Sequence, residues 1–246
     1  MNAPVSTRPG TLRGTAVAMI AAAVVVNIAF TGLGAVFDYP DVLKHPPADA
    51  LAAFRESQGA VSAWFLALAL GAALLAPVAV GVGRLSTSRA MRWAVPVGIS
   101  AAVVQIVGLL RWPLLTPGWA ASGDVDSFAT ANRVLGTVVG ETGGYLLTAL
   151  WTVLVLVALG TSFAGRWFVV LGGVSAVLVF VGVLSPVGLP LVDLANFAGY
   201  VLWSLWLVVF AILLLVRSRR SGTPNMCLRT TVEEDDGGVT KRHDHR

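Results

Sequence analysis

The sequence predicts an all-α integral membrane protein, a polytopic bundle of six transmembrane helices. Of its 246 residues, 56% are hydrophobic and only 12% are charged, whereas an ordinary soluble domain is roughly 25% charged. The mean hydropathy is +0.79. The apolar residues gather into runs that are each long enough to cross about 30 Å of hydrocarbon as a helix. The six predicted spans are 15–37, 60–82, 93–115, 134–159, 167–187 and 197–216.

Charged residues divide between the two ends of this bundle. The connections 38–59, 116–133 and 188–196 carry most of the aspartates and form what we call the acidic end. The connections 83–92 and 160–166, with both terminal segments, carry arginines and form the basic end. Because basic residues mark the cytoplasmic side, we expect both termini in the cytoplasm and the protein in the bacterial cytoplasmic membrane.

The net charge of +4 does not indicate a nucleic-acid partner, because the arginines lie between apolar runs as topology signals. The lipid bilayer is the partner that the sequence predicts. Tryptophans near the span ends are expected in the interfacial belt; they are Trp93, Trp112 and Trp167.

Three regions follow along the chain. Residues 1–14 are predicted to be a cytoplasmic segment, 15–216 the transmembrane domain, and 217–246 a disordered cytoplasmic tail. The first apolar run exceeds the ~7–15 residues of a signal-peptide core, so we expect it to be retained as a helix. Short surface helices are predicted over 48–57 and from Asp126, and Pro77 is expected to kink the second span.

An internal repeat relates spans 3–4 to spans 5–6. Shifting the chain by 74 residues places Arg92-Trp93 on Arg166-Trp167, and shifting it by 55 places Gly144-Tyr145 on Gly199-Tyr200. The pattern predicts two copies of one helical hairpin in the same orientation, related by an axis along the membrane normal.

Glu141 is the single carboxylate in a run, 134–159, that has no other charged residue. An acid in hydrocarbon is costly and marks a functional site or a buried partner. The glycines 136, 140 and 144 form a face that a neighbouring helix can approach closely. Arg111, at similar depth in span 3, is interpreted in three ways: a partner of Glu141 in an outward-facing cavity, half of a structural ion pair, or a side chain that snorkels to headgroups beside Trp112.

A ligand-binding site is the hypothesis that follows for the acidic end. Its predicted residues are Glu141, Arg111, Tyr145, Asn196, Tyr200, Asp38 and Asp193. Asn27 and Gln105, also in mid-span, are expected to form interhelical hydrogen bonds. No motif of a soluble enzyme class is present, so no residue is assigned a catalytic role and no cofactor is predicted. His243 and His245 on the tail make a poor metal site, and no metal is expected.

Three stretches carry a resemblance to a known family: FDYPDVL with a following proline (Phe37 to Pro46), LRWPLL (Leu110 to Leu115) and VGETGGYLLTALWT (Val139 to Thr152). In these the chain resembles multi-span membrane proteins of high-GC bacteria that are described as a domain of unknown function. The resemblance implies six to seven membrane helices and brings no activity. Three functions stay open: binding or transport of a small molecule or lipid headgroup, an intramembrane enzyme that uses Glu141 as acid or base on a lipid-like substrate, and a non-catalytic scaffold or regulatory partner.

Overall fold

Helices make up the regular secondary structure of the residues that the structure describes. The computed structural model describes residues 9–189 and 191–220. The α-helices are α1 Pro9–Phe37, α2 Pro47–Glu56, α3 Gln58–Ala73, α4 Leu75–Gly83, α5 Arg89–Leu114, α6 Thr116–Ser122, α7 Val125–Ala131, α8 Gly144–Ala164, α9 Arg166–Val181 and α10 Val192–Arg220. Two 3₁₀ segments, Asp41–Lys44 and Gly182–Val187, and one π-helix, Asn132–Gly143, complete the element order.

The six predicted spans are confirmed. Six helical stretches are long and apolar enough to cross a bilayer, which makes this a multi-pass membrane protein; they are Gly10–Phe37, Gln58–Gly83, Arg89–Ser122, Val125–Ala164, Arg166–Val187 and Val192–Arg219. The last helix continues to Arg220, beyond the predicted start of the tail at 217. The rest of that predicted tail, and its two histidines, lie outside the described residues.

The predicted kink at Pro77 is present as a break in the second span. Helix α3 ends at Ala73 and α4 begins at Leu75. Proline has no N–H, and its ring clashes with the carbonyl four residues earlier, here that of Ala73. The chain continues across the break because Val78 donates to the Leu74 carbonyl at 3.1 Å.

An aromatic cluster lies at the acidic end of the bundle. The ring of Trp112 stacks on Phe65 with centroids 4.9 Å apart and meets Phe37 edge-on at 5.1 Å. Phe54 of α2 and Phe128 of α7 lie 5.8 and 5.7 Å from the same indole. The short helices predicted at the surface, α2 and α7, therefore each pack one phenylalanine side chain against the spans at the acidic end.

The prediction of an interfacial position is wrong for Trp112. Its side chain is fully buried within this cluster, whereas Trp93 and Trp167 at the basic end are 59% and 53% exposed. Those two exposed indoles are arranged as a membrane-interface belt requires.

Equivalent contacts recur in the two hairpins that the internal repeat relates. A Cβ built on Gly98 of α5 would lie 2.8 Å from the indole nitrogen of Trp151, and one built on Gly172 of α9 would lie 2.7 Å from that of Trp206. A second pair recurs in the same way: Gly144 against Gln105, and Gly199 against Val179. A duplicated hairpin predicts such matched contacts, and duplication stays a prediction.

Candidate functional site

The glycine face of the fourth span lies against α5, as predicted. A Cβ built on Gly140 would come within 2.9 Å of the Gly108 Cα, and one built on Gly144 within 2.9 Å of the Gln105 Cγ. One turn further towards the acidic end, a Cβ on Gly136 would lie 2.7 Å from a guanidinium nitrogen of Arg111. Small residues let the two backbones approach closely, and this contact fixes the position of the segment that carries Glu141.

Glu141 lies on a π-helix, which the sequence analysis did not predict. The π segment runs over Asn132–Gly143, twelve residues, whereas most π-helices are single turns and many of these lie at functional sites. Five β-branched residues and three glycines make up eight of the twelve, and both types lower α-helix propensity. The wider turn gives Glu141 a different direction from the one that α-helical spacing assigns.

Arg111 is buried and held by the protein itself. Only 5% of the residue is exposed. Its Nε donates to the Asn132 Oδ1 at 2.9 Å, its Nη1 donates to the Gly108 carbonyl, and the guanidinium carbon lies 5.2 Å from the centroid of the Trp112 ring. The alternative in which Arg111 snorkels to headgroups is therefore wrong, since neither its charge nor the neighbouring indole reaches the surface.

The predicted direct ion pair between Arg111 and Glu141 does not form. Within the described residues, no nitrogen of Arg111 lies within 4.0 Å of a Glu141 oxygen. The two charges are close enough to act on a common neighbour, Tyr39. Burial raises the pKa of the Tyr39 phenol, the Glu141 carboxylate raises it further, and the Arg111 guanidinium opposes the rise.

Glu141 is half-buried and accepts no hydrogen bond from any residue in the described part of the chain. Its charge acts on Tyr145 and Tyr200 as well as on Tyr39. The chain has only three tyrosines, and this charge therefore acts on all of them.

Two of these tyrosines contact each other, and the third packs against phenylalanines. The rings of Tyr145 and Tyr200 lie 5.7 Å apart and inclined at 60°. Tyr39 packs edge-on against Phe30 at 5.6 Å and Phe65 at 5.3 Å. Sequence reasoning assigned Tyr145 and Tyr200 to the site but missed Tyr39, which follows the first span in an irregular connection.

Asn196 of the predicted site has a structural contact. Its side chain is buried, and the amide nitrogen donates to the Val179 carbonyl at 2.9 Å. This hydrogen bond joins α10 to α9 where the two helices pack. Asn132, which sequence analysis did not single out, is the amide that contacts the charged part of the site.

The aspartates of the predicted site lie at the surface of the acidic end. Asp193 is 3.4 Å from the Lys44 Nζ, which also donates to Asp41 at 2.7 Å. Hydrogen bonds to Asp41 and then Asp193 raise the pKa of Lys44. Asp38 is exposed, with φ +51°, and its carbonyl accepts from Val42 in a turn. Both acids thus lie at the exposed surface of the acidic end, and Asp193 pairs there with Lys44.

A small cavity of about 40 Å³ lies in the middle of the bundle, with Tyr200 in its lining. Gln105 donates to Thr148 at 3.2 Å and Asn27 donates to Ser204 at 3.0 Å around it, so both predicted interhelical hydrogen bonds are confirmed. A buried water needs roughly 10–15 Å³ of such space. The cavity is therefore of the size for water, and far below the ~300 Å³ of a small-molecule pocket.

A model of a protein family matches residues 15–211, and its description is "Domain of unknown function (DUF4386)". The match covers the six spans except the start of the first and the end of the last. No curated protein and no solved structure matches the chain.

Proposed function

Because the chain belongs to the DUF4386 family, whose description assigns no activity, we propose a function from the site itself: this membrane protein binds the ammonium group of a small molecule or lipid headgroup at Glu141. The carrying observation is that Glu141 is half-buried and accepts no hydrogen bond within the described residues. A carboxylate that is partly removed from water without a compensating charge or hydrogen bond is unfavourable. A cationic ligand that compensates the carboxylate would relieve this cost, and its binding would be favoured accordingly.

The surroundings of Glu141 favour a cation over an anion. Arg111, the buried positive charge nearby, already donates to Asn132 and Gly108 and is closed off from solvent. The groups left to meet a ligand are the carboxylate and the rings of Tyr39, Tyr145 and Tyr200. Aromatic faces attract ammonium groups by about 0.5–2 kcal/mol each, depending on desolvation.

The exposed aspartates of the acidic end also favour a cation. Asp38, Asp41 and Asp193 are exposed at the acidic end, and a cleft lined by one sign of charge concentrates the opposite ion. With the basic connections in the cytoplasm, as the positive-inside rule requires, the site opens to the outside of the cytoplasmic membrane. Binding is proposed in preference to passage, because the mid-bundle cavity of about 40 Å³ is too small to pass an organic cation.

Thermal unfolding of the purified protein in a choline-free maltoside detergent tests this proposal. Choline chloride is compared with sodium chloride at equal ionic strength, and phosphatidylcholine with a diacylglycerol of the same acyl chains in a parallel series. A ligand at ten times its Kd stabilises by about 1.4 kcal/mol, which is roughly 3–6 °C in Tm for a chain of this size. A response to choline alone identifies a free ammonium compound, and a response only to phosphatidylcholine identifies a lipid headgroup.

Two matched variants make the result specific. Glu141→Gln removes the charge and is expected to abolish the shift, whereas Glu56→Gln makes the same change at an exposed residue of the same end and should keep it. An unchanged Tm of the wild-type protein in both series, or an equal shift in Glu141→Gln, would refute ammonium binding at this carboxylate.

A further inference from the structure

We infer that the basic end carries a second, separate site: a groove on α5 that binds the phosphate of an anionic phospholipid. The groove is about 390 Å³ and is lined by Arg89, Arg92, Trp93 and Pro96. It lies at the opposite end of the bundle from Glu141 and does not depend on the function proposed there.

The spacing of the four lining residues creates the groove. Arg92, Trp93 and Pro96 follow Arg89 by three, four and seven residues. At this spacing the four residues share one face of the first two turns of α5. All four are exposed. Pro96 lies within the helix and offers a compact ring beside the large indole of Trp93. The result is a concave surface between two guanidinium groups and an aromatic side chain.

Both arginines lack a counter-charge within the described residues. The chain's described ion pairs involve Lys44 at the other end, and every described acid lies at the acidic end or at Glu141. Two exposed guanidinium groups on one helix face repel each other mildly, and a shared phosphate removes that repulsion. Arginine's fork of N–H donors matches phosphate oxygens in geometry.

The surface next to the groove fits the rest of a lipid. Trp93 is 59% exposed, and the same face of α5 continues with exposed Val103 and Val107. The order along the helix is thus charge, interfacial aromatic ring, then apolar side chains, which matches headgroup, interface and acyl chain in a bilayer. Basic pockets at membrane-helix ends bind anionic headgroups in this way.

The second hairpin provides an internal control. At the positions equivalent to Arg92 and Trp93 it has Arg166 and Trp167, both exposed. The position equivalent to Arg89 is the buried Phe163, and the one equivalent to Pro96 is Val170. An Arg-Trp pair is therefore present in both hairpins, whereas the second arginine and the proline that complete the groove are present only in α5.

Native mass spectrometry of the full chain with equimolar phosphatidylglycerol and phosphatidylcholine tests the site. The wild-type protein is expected to retain phosphatidylglycerol preferentially. Each interfacial arginine contributes on the order of fivefold in affinity, so Arg89→Gln and Arg92→Gln should each lower the preference about fivefold. Arg166→Gln should leave it within about twofold, and higher salt should weaken it by screening.

Two results would overturn the inference. One is an equal loss of preference in Arg166→Gln and Arg92→Gln, which would make the effect a general one of positive charge. The other concerns the chain's own acidic run Glu-Glu-Asp-Asp at 233–236. If replacing these four acids by their amides raises phosphatidylglycerol binding several-fold, the groove is filled by the tail and not by lipid.

Discussion

A close backbone contact between α5 and the π segment makes Gly108→Ala the most informative substitution. A Cβ at residue 108 would lie 2.6 Å from the Gly140 Cα and 3.0 Å from the Leu135 carbonyl oxygen. Carbon atoms in good contact are about 3.5–4.0 Å apart. Both obstacles are backbone atoms, so no rotamer change relieves the clash, and α5 must move away from the π segment by about 1 Å.

The expected destabilisation is about 1–2 kcal/mol. Inserting a methyl group into a packed contact costs roughly 1–3 kcal/mol, and replacing glycine by alanine in a helix returns up to about 1 kcal/mol. For a chain of this length the difference lowers Tm by roughly 2–8 °C. The same displacement disturbs the packing of the segment that carries Glu141, so the response to choline should weaken as well.

Thermal unfolding followed by intrinsic tryptophan fluorescence in detergent measures this change. The matched control is Gly173→Ala, because a Cβ at residue 173 of α9 meets nothing within 4 Å. That variant gains helix propensity without a clash, so its Tm should equal or exceed that of the wild-type protein. If Gly108→Ala is as stable as Gly173→Ala, the close approach between α5 and the π segment is refuted, and with it the placement of Glu141.

Three further perturbations test the site and its covering connections. Asn132→Ala removes the acceptor for the Arg111 Nε and should destabilise by about 1.5–3 kcal/mol, whereas Asn132→Asp keeps an acceptor and should recover most of that loss in the same unfolding assay. The pKa of Tyr39 is raised above its ordinary 10.0, so the stability it contributes is full below pH 10 and is lost as pH rises towards the folded-state pKa. Tyr39→Phe should flatten the decline of Tm above pH 10, and an identical decline in both proteins would contradict burial of the phenol. Hydrogen bonds from the Ser127 side chain and then from the Ser127 N–H, at the start of α7, lower the pKa of the Asp124 carboxyl below the ordinary 3.8. The stability that this carboxylate contributes is present above pH 3.8 and is lost as pH falls through the lower folded-state pKa. Asp124→Asn should therefore remove that acid-dependent part of unfolding.

The sequence was sufficient for the six spans because membrane crossing depends on properties of single runs, namely length and hydropathy. The glycine face at 136, 140 and 144 was predictable for a similar reason, since small residues at regular spacing have no other common use within a span. The break at Pro77 follows from the missing N–H alone. Each of these features is local.

The parts that sequence reasoning missed depend on contacts between distant segments. The π-helix needs the backbone of Gly108 and the guanidinium of Arg111 on α5 to pack against 132–143, although the β-branched residues and glycines of that run were a visible sign of weak α-helix propensity. Trp112 lies near a span end in the sequence, and the packing of α1, α2, α3 and α7 around its indole buries it. Tyr39 joins the site because the first connection folds back over the spans.

Accessibility of residue 141 tests the central claim, a polar site that opens at the acidic end, more directly than any other measurement. The chain has one cysteine, Cys227, so Glu141→Cys in a Cys227→Ser background gives a single thiol. On intact cells, a membrane-impermeant maleimide should label this thiol from outside. Labelling only by a lipid-soluble maleimide, or only after the cells are opened, would contradict the account, because it would place residue 141 against acyl chains or at the cytoplasmic side.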